Sequence, residues 1–150
     1  LDFRLYGHPL ALYAALRERQ PVRYGAFIAT PEETVVSCSP ELFFERSGDR
    51  VITRPMKGTA PRGATPEEDE ARRAALLASE KERAENVMIV DLLRNDLGRL
   101  AAPGKVRVEA LCVAEAYPTL WQVVSTVAAE LPGVRLIDLF RALFPCAPSA

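Results

Sequence analysis

The sequence predicts an α+β fold built from antiparallel strands and helices. Runs of β-branched and aromatic residues come first, a long segment with helical spacing follows, and strand-like runs return before a short closing helix. Strands grouped on either side of a helical segment indicate mixed α+β layers. With 150 residues, 49% of them apolar and 26% charged, the chain has the size and composition of one globular domain.

The front third is predicted to be one helix followed by an antiparallel meander. Apolar residues recur at helical spacing between Pro9 and Gln20. The turn sequences Pro31-Glu32-Glu33 and Ser47-Gly48-Asp49 separate strand-like runs and favour hairpin connections. These runs are Tyr24 to Thr30, Thr34 to Ser39, Leu42 to Arg46 and Arg50 to Thr53.

The middle of the chain is predicted to be helical. The segment Thr65-Pro66-Glu67-Glu68 supplies a capping hydroxyl, a proline suited to the first helical position and a glutamate that completes a capping box. Helical character continues from Ala71 to Leu93, with Ser79 as a candidate interruption, and Gly98 and Pro103-Gly104 end it.

Two strands and a helix are predicted for the remainder. Val106 to Val113 and Thr119 to Glu130 are rich in β-branched residues, which is typical of strands. Arg135 to Leu143 has its apolar residues on one helical face.

Charge and cysteine content restrict the class of protein. A formal charge of −1, from 19 basic and 20 acidic residues, offers no general field for nucleic acid or an anionic membrane. No segment is apolar over the length of a bilayer, and the N-terminus lacks a secretory pattern. The three cysteines are widely spaced without a CxxC motif, and Cys38 and Cys112 lie in apolar runs, where we expect them to be buried. We expect a cytoplasmic protein that binds neither nucleic acid nor membranes.

Lys57 is the first candidate for a catalytic residue. It follows a strand-like run and stands between Pro55, which stiffens the chain, and Gly58, which permits a tight turn and close approach of a ligand. Thr59 adds a hydroxyl and an amide donor. Lysine in this setting can bind a carboxylate or, unprotonated, act as a nucleophile. On the local sequence alone, an ordinary lysine in a loop is the favoured interpretation, since lysines in turns are common.

Glu41 is the second candidate. It lies in Ser39-Pro40-Glu41, at the junction of two strand-like runs, where a side chain can point into a cleft. A carboxylic acid there can donate or accept a proton. The alternative is a solvated glutamate in a turn.

Glu82 and Glu85 are the third candidates. Three residues apart on a helix, they project from one face, and paired carboxylates suit a hard cation such as Mg²⁺. Two structural alternatives stay open. Alternating charges in Glu80-Lys81-Glu82-Arg83 fit a solvated face, and Ser79 with Glu82 fits a second capping box.

The order of these motifs along the chain resembles the chorismate-utilising enzymes. Ser39-Pro40-Glu41, then Pro55-Met56-Lys57-Gly58-Thr59, then the long segment Glu82 to Arg99 carry the resemblance, which runs from about Tyr24 to the C-terminus. It implies part of an αββα fold, with antiparallel sheets and outer helices. Residues 1–150 would then be the central portion of a single catalytic domain, truncated at both ends.

The resemblance also implies roles for the candidate residues. Lysine at position 57 is typical of the aminodeoxychorismate synthase branch, where it would attack the chorismate ring and form a covalent intermediate. Glu41 would be the general acid and base, and Gly58 and Thr59 would bind substrate. Glu85 would bind Mg²⁺, with Glu82 close by. Ammonia would come from a glutamine amidotransferase subunit or domain, and the product would be 4-amino-4-deoxychorismate for p-aminobenzoate and folate synthesis.

Three alternatives accompany this hypothesis. The chain could belong to an anthranilate synthase, or to an isochorismate or salicylate synthase, in which the lysine is incidental. As a fragment, it could be inactive and bind a partner subunit at most. Many members of the family have histidine where this chain has Gln122, so the role of that histidine does not carry over, since an amide cannot transfer protons at neutral pH.

Overall fold

The computed structural model describes residues 5–144, which divide into two compact units at residue 42. The first unit pairs one helix with a two-stranded sheet. Helix α1 (Pro9–Arg19) begins at His8, whose side chain accepts a hydrogen bond from the Leu10 amide. Strands β1 (Tyr24–Ala29) and β2 (Thr34–Ser39) pair antiparallel. The ring of Tyr13 packs beside that of Phe27, with 5.8 Å between centroids.

The second unit is a five-stranded antiparallel sheet with helices packed against it. Strand β7 (Leu120–Glu130) lies at its centre and pairs along one edge with β6 (Val106–Ala116). Its other edge pairs first with β5 (Met56–Pro61) and then with β4 (Arg50–Arg54), which is followed outward by β3 (Leu42–Ser47).

This topology corrects two predictions. The front third is not one meander, because β1 and β2 form their own sheet while β3 and β4 join the larger one. The segment with Lys57 is not a loop, because β5 pairs with β7. Both errors concern pairing with residues far away in sequence, which local patterns do not report.

The helical predictions are confirmed. Helix α2 (Pro66–Ala78) has Thr65 as its cap, whose hydroxyl oxygen accepts from the Glu68 amide at 3.2 Å. Ser79 interrupts the helical segment and caps helix α3 (Glu80–Gly98), and helix α4 (Leu136–Leu143) follows β7. Because a cap satisfies amides that would otherwise lack partners, each hydroxyl fixes where its helix starts.

The core of the second unit lies between the sheet and helices α3 and α4. On β7 the side chains alternate between faces, so Val127 and Ala129 point towards the helices. Burial of the fully enclosed leucines contributes about 2 kcal/mol each. The cluster consists of Val51, Val90, Leu93, Leu97, Val127, Ala129, Leu131, Leu139 and Leu143.

None of the helices within residues 5–144 combines the length and the apolar content needed to cross a bilayer. Cys38 and Cys112 are unpaired and half-buried rather than fully buried as expected, and Cys146 lies outside the described residues.

Candidate active site

The Lys57 segment is an irregular strand. Strands β4 and β5 keep one register on β7 across Pro55, whose carbonyl accepts from the Ser125 amide at 3.1 Å. Between Met56 and Thr59 the register shifts, so that Lys57 and Gly58 together face one residue of β7, Val123. This is a β-bulge, a feature that redirects side chains and is common beside active sites.

Gly58 is needed at this bulge for two reasons. Its φ of +86° lies in the left-handed region, which a side chain rarely adopts. A β-carbon at residue 58 would also lie 2.9 Å from Glu82 Oε2, 3.1 Å from Glu82 Cβ and 3.2 Å from Val123 Cγ2. The absence of a side chain therefore lets helix α3 approach β5 directly, and it places the Glu82 carboxylate against the Lys57-Gly58 backbone.

Glu82 and Glu85 share the sheet-facing side of α3. Both are half-buried, on the same face as the buried Asn86 and Val90. Glu82 is packed against Gly58, so the solvated-face alternative does not describe its side chain. It stays open for Glu85, whose side chain is 43% exposed and lies 3.9 Å from the exposed Lys81, and such exposed pairs contribute little to stability.

The second capping box is only half formed. The Ser79 hydroxyl oxygen accepts from the Glu82 amide at 3.4 Å, but the Ser79 amide donates to the Leu76 carbonyl instead of to the Glu82 side chain. The Glu82 carboxylate is thus not used to cap its own helix.

The donor set fits Mg²⁺ as a site shared with substrate. Within residues 5–144 there is no group of three or more His, Cys, Asp or Glu side chains placed to hold a metal. Mg²⁺ is commonly bound by one or two carboxylates, with water and substrate oxygens completing the octahedron. Glu82 and Glu85 could supply those two carboxylates.

The side chains of Lys57 and Thr59 have different surroundings at the bulge. Within residues 43–144 the half-buried Lys57 ammonium forms no ion pair or hydrogen bond. The Thr59 hydroxyl donates to Gln122 Oε1 at 2.9 Å. Gln122 alternates on β7 with Val123, so the Thr59–Gln122 pair lies on the face of the sheet opposite to α3. The structure therefore brings Gly58, the neighbour of Lys57 in the bulge, against Glu82, and it places the Thr59 hydroxyl on the other face of the sheet.

Glu41 belongs to the first unit. It lies in the turn after β2, where Ser39 Oγ accepts from the Glu41 amide at 3.2 Å and donates to the Glu41 carbonyl at 3.3 Å. These bonds fix the turn and leave the glutamate side chain exposed.

A polar cluster that the sequence did not reveal lies beside the far end of β5. Arg62 donates to both carboxylate oxygens of Asp69, at 2.5 and 2.8 Å, and its guanidinium lies 4.7 Å from the Trp121 ring centroid. Trp121 Nε1 and the Gly63 amide also donate to Asp69 Oδ1, at 2.9 and 2.8 Å. The Arg62 hydrogen bonds, then the Gly63 amide, hold the pKa of Asp69 well below its ordinary range.

The cluster locks the start of α2 to the sheet. A β-carbon at Gly63 would lie 2.2 Å from the Asp69 amide nitrogen, so only glycine fits between strand and helix. The acidic first turn of α2 suggested an ordinary helix start, and nothing local to Asp69 indicates its distant partner Trp121.

A second unpredicted cluster is fully buried. Asn86 and Ser125, both 0% exposed, lie between α3 and the sheet, and the Ser125 hydroxyl donates to Asn86 Oδ1. The Cys112 amide donates to Ser125 Oγ at 2.9 Å. The four-residue spacing of Glu82, Asn86 and Val90 places Asn86 on the buried face of α3. This spacing was the sequence signal that could have identified Asn86 as buried.

Comparison with known proteins identifies the fold and the family together. A sequence model described as chorismate binding enzyme matches residues 1–149. The chain belongs to the chorismate binding enzyme family. The prediction of an α+β chorismate-binding fold is thereby confirmed.

Relatives within the family carry more than one name. An aminodeoxychorismate synthase component 1 from Bacillus subtilis is 45% identical over 139 residues, which are 92% of this chain and 30% of that protein. One from Klebsiella aerogenes is 52% identical over 124 residues, which are 81% of this chain and 27% of that protein. Among solved structures, anthranilate synthase component I from Streptococcus pneumoniae matches with a TM-score of 0.80 and 31% identity, over 92% of this chain and 30% of that one. The chain thus spans less than a third of each of these three relatives.

Proposed function

We propose that the whole protein carrying this chain is an aminodeoxychorismate synthase component 1. It converts chorismate and ammonia to 4-amino-4-deoxychorismate. The observation that carries the proposal is a lysine, Lys57, at a bulge whose glycine lies against the Glu82 carboxylate. Two relatives of 45% and 52% identity that bear this name support it.

Lys57 is the proposed nucleophile. Its Nζ, as the neutral amine, forms a bond to the ring of chorismate while the bond from the fourth ring carbon to its hydroxyl breaks, and the hydroxyl leaves as water with the proton of the Glu41 carboxylic acid. Ammonia then bonds to the fourth ring carbon and gives a proton to the Glu41 carboxylate, and the bond from the ring to Nζ breaks, which restores the neutral lysine and the protonated glutamic acid. Lys57 is half-buried and forms no ion pair within the described residues 43–144, which supports this role, because an ion-paired lysine would first have to lose its partner carboxylate.

Glu41 is the proposed proton donor and acceptor. Hydroxide is a poor leaving group, so the departure of the 4-hydroxyl requires a positioned acid, and the same group later accepts a proton from the incoming amine. The Ser39 hydrogen bonds fix the backbone of the turn at Glu41, which supports a defined place for this residue in the fold.

Mg²⁺ is the proposed metal, held by Glu85 with Glu82 beside it. When bound, it supplies positive charge that neutralises a substrate carboxylate. Gly58 and Thr59 are also proposed to bind substrate through the backbone of the bulge, which the hydrogen bond from the Thr59 hydroxyl to Gln122 holds on β7.

A glutamine amidotransferase is the proposed source of ammonia. The relatives from Bacillus subtilis and Klebsiella aerogenes are both named component 1, which implies a second component in those systems. An enzyme of folate synthesis of this kind is expected in the cytoplasm, which the cysteine pattern also favours.

Product analysis tests the proposal. The complete protein, supplied with chorismate, an ammonium salt and Mg²⁺, should form 4-amino-4-deoxychorismate, detected by chromatography and mass spectrometry. A Lys57→Ala variant should lose any covalent adduct, whereas Lys105→Ala, at an exposed lysine, should retain it. Formation of salicylate or isochorismate, or an undiminished adduct in Lys57→Ala, would overturn the assignment.

Anthranilate synthase is the second candidate. The match to a solved anthranilate synthase component I, with 31% identity and a TM-score of 0.80, favours it. The two candidates differ in the ring carbon that receives the amine, so the product alone separates them. Anthranilate as the sole product would establish this candidate and reduce Lys57 to an incidental residue.

The isolated chain is proposed to be inactive. It spans 30% and 27% of the two aminodeoxychorismate synthase component 1 relatives, and the parts of those proteins that it lacks are proposed to be needed for substrate binding and turnover. Calorimetry of the 150-residue chain with chorismate and Mg²⁺ should show no binding in the micromolar range, and binding there would contradict this expectation.

A further inference from the structure

Asn86 and Ser125 form a polar contact within an otherwise apolar interface. On α3 the residues that follow Asn86 along the buried face are Val90, Leu93 and Leu97, all buried in the core. Buried polar groups cost free energy unless they are hydrogen-bonded, so a polar pair in this position requires partners on both sides.

The hydrogen bonds of the pair join three elements. Asn86 Oδ1 accepts from the Ser125 hydroxyl and, at 3.6 Å, from Cys112 Sγ, while Asn86 Nδ2 donates to the Val123 carbonyl at 3.4 Å. Ser125 Oγ in turn accepts the Cys112 amide at 2.9 Å. Helix α3 is thus bonded directly to β7, and to β6 both by the Cys112 thiol and through Ser125.

Both partners on β7 lie opposite bulges of the neighbouring strands. Val123 faces Lys57 and Gly58 of β5, and the register of β6 shifts between Ala110 and Val113, where Ser125 lies on β7. Cys112, within that second bulge, has a φ of +52°, a backbone conformation that is uncommon for a residue with a side chain. The Ser125 hydroxyl supplies the partner for the amide of this strained residue.

The pair allows one position of α3 on the sheet. Apolar side chains tolerate small rotations and slides of a helix, because their contacts have no direction. Hydrogen bonds are directional and do not tolerate such movements. A rotation of α3 by one residue, about 100°, would leave the Asn86 amide and the Ser125 hydroxyl buried without partners. The same rotation would move Glu82 away from Gly58, since Glu82 lies one turn before Asn86.

We propose that Asn86 is a positioning residue that, through Ser125 and Val123, fixes α3 so that the Glu82 carboxylate lies at the Lys57-Gly58 bulge and Glu82 and Glu85 can bind Mg²⁺. The proposal rests on the proposed function for the role of the metal. It adds residues that touch neither metal nor substrate and that act through the helix they fix. Replacing a group that orients metal ligands in this way weakens metal binding by more than its effect on the stability of the fold would explain.

The test measures Mg²⁺ binding and stability in the complete protein. Ser125→Ala and Asn86→Ala should each weaken Mg²⁺ binding, measured by calorimetry in the presence of chorismate, by roughly tenfold or more. Val90→Ala removes apolar contacts one turn further along the same face of α3, and Thr53→Val removes a buried hydroxyl for which no hydrogen-bond partner is present within the described residues. Both control variants should retain the wild-type Mg²⁺ affinity, even if Val90→Ala lowers the melting temperature as much as Ser125→Ala or Asn86→Ala does.

The outcomes separate the two proposals. Wild-type Mg²⁺ affinity in Ser125→Ala, which is the milder variant and the one expected to fold, would overturn the positioning role, and so would an equal loss of affinity in Val90→Ala. The product of the wild-type protein tests the proposed function independently. A wild-type protein that makes aminodeoxychorismate without binding Mg²⁺ would overturn the positioning proposal and the metal site, while leaving the assigned reaction intact.

Discussion

The carboxylate of Glu82 on α3 lies over the α-carbon of Gly58 on β5. The two residues are so close that a β-carbon at position 58 would stand 2.9 Å from Glu82 Oε2, less than a normal contact. The helix that carries the proposed metal ligands and the strand that carries the proposed nucleophile therefore meet at a residue without a side chain. This contact makes glycine a requirement of the site as well as of the bulge.

We expect Gly58→Ala to reduce both stability and activity. A left-handed φ of +86° costs a residue with a side chain about 1–2 kcal/mol, and the new methyl group must also displace Glu82. Urea unfolding should show a loss of at least that size in the free energy of unfolding. Kinetics should show a higher Mg²⁺ concentration at half-maximal rate or a lower kcat.

Gly104→Ala is the matched control for Gly58→Ala. Gly104 has a similar φ of +77°, but a β-carbon there would meet no atom within 4 Å. It should lose stability through strain alone and keep full activity. Equal stability and equal activity in the two variants would show that the contact between Gly58 and Glu82 has no role in activity.

Local sequence was sufficient where local chemistry decides the structure. Both helix starts, at Thr65 and at Ser79, were predictable because a capping hydroxyl acts on amides two or three residues away. The face shared by Glu82 and Glu85 followed from the helical period alone.

The sheet and the buried polar clusters were not predictable in the same way. The bulge at Lys57 exists because β7, more than sixty residues later, sets the register of β5. The partner of Asp69 is Trp121, and that of Asn86 is Ser125, each chosen by tertiary packing. The resemblance to a family could indicate that Lys57 and Glu82 act together, but it gave no account of what holds them there.

Thr59→Val should impair substrate binding more than folding. Thr59 is exposed, so the loss of its hydroxyl should change stability by less than about 0.5 kcal/mol. Because its hydrogen bond to Gln122 would be lost, the Gln122 amide would be free to rotate. We expect kcat/KM for chorismate to fall roughly tenfold, equivalent to about 1.4 kcal/mol.

The control for Thr59→Val is Thr126→Val, because Thr126 lies on the same face of β7 as Gln122, four residues further along the strand. Its kcat/KM should stay at the wild-type value. A normal KM in Thr59→Val would place the Thr59–Gln122 pair outside the substrate site.

Ser79→Ala should weaken the metal site through the helix start. Loss of the cap leaves amides of the first turn of α3 without a partner, at a cost of about 1 kcal/mol, and Glu82 belongs to that turn. Thr65→Ala removes the cap of α2 at a similar cost without touching α3. Calorimetry should therefore show weaker Mg²⁺ binding in Ser79→Ala only, and equal affinities in the two variants would contradict the link between cap and site.

Asp69→Asn should reduce the sensitivity of folding to acid. The Arg62 hydrogen bonds keep the pKa of Asp69 in the folded protein below that of an unfolded chain, near pH 4. Between these two values the unfolded state binds a proton that the folded state does not, so the stabilisation is complete above about pH 4 and declines as the pH falls below it. Removal of the carboxylate removes this contribution, so the free energy of unfolding of Asp69→Asn should be lower at neutral pH and should fall less steeply under acid.

Asp91→Asn is the matched control for Asp69→Asn, because the Asp91 carboxylate is exposed and pairs only with Arg94 of its own helix. Urea unfolding at several pH values between 3 and 7 should show a slope close to wild type for Asp91→Asn and a shallower one for Asp69→Asn. Since Asp69 joins α2 to β5 and β7, identical slopes in the two variants would mean that the Arg62–Asp69–Trp121 cluster does not stabilise the folded sheet.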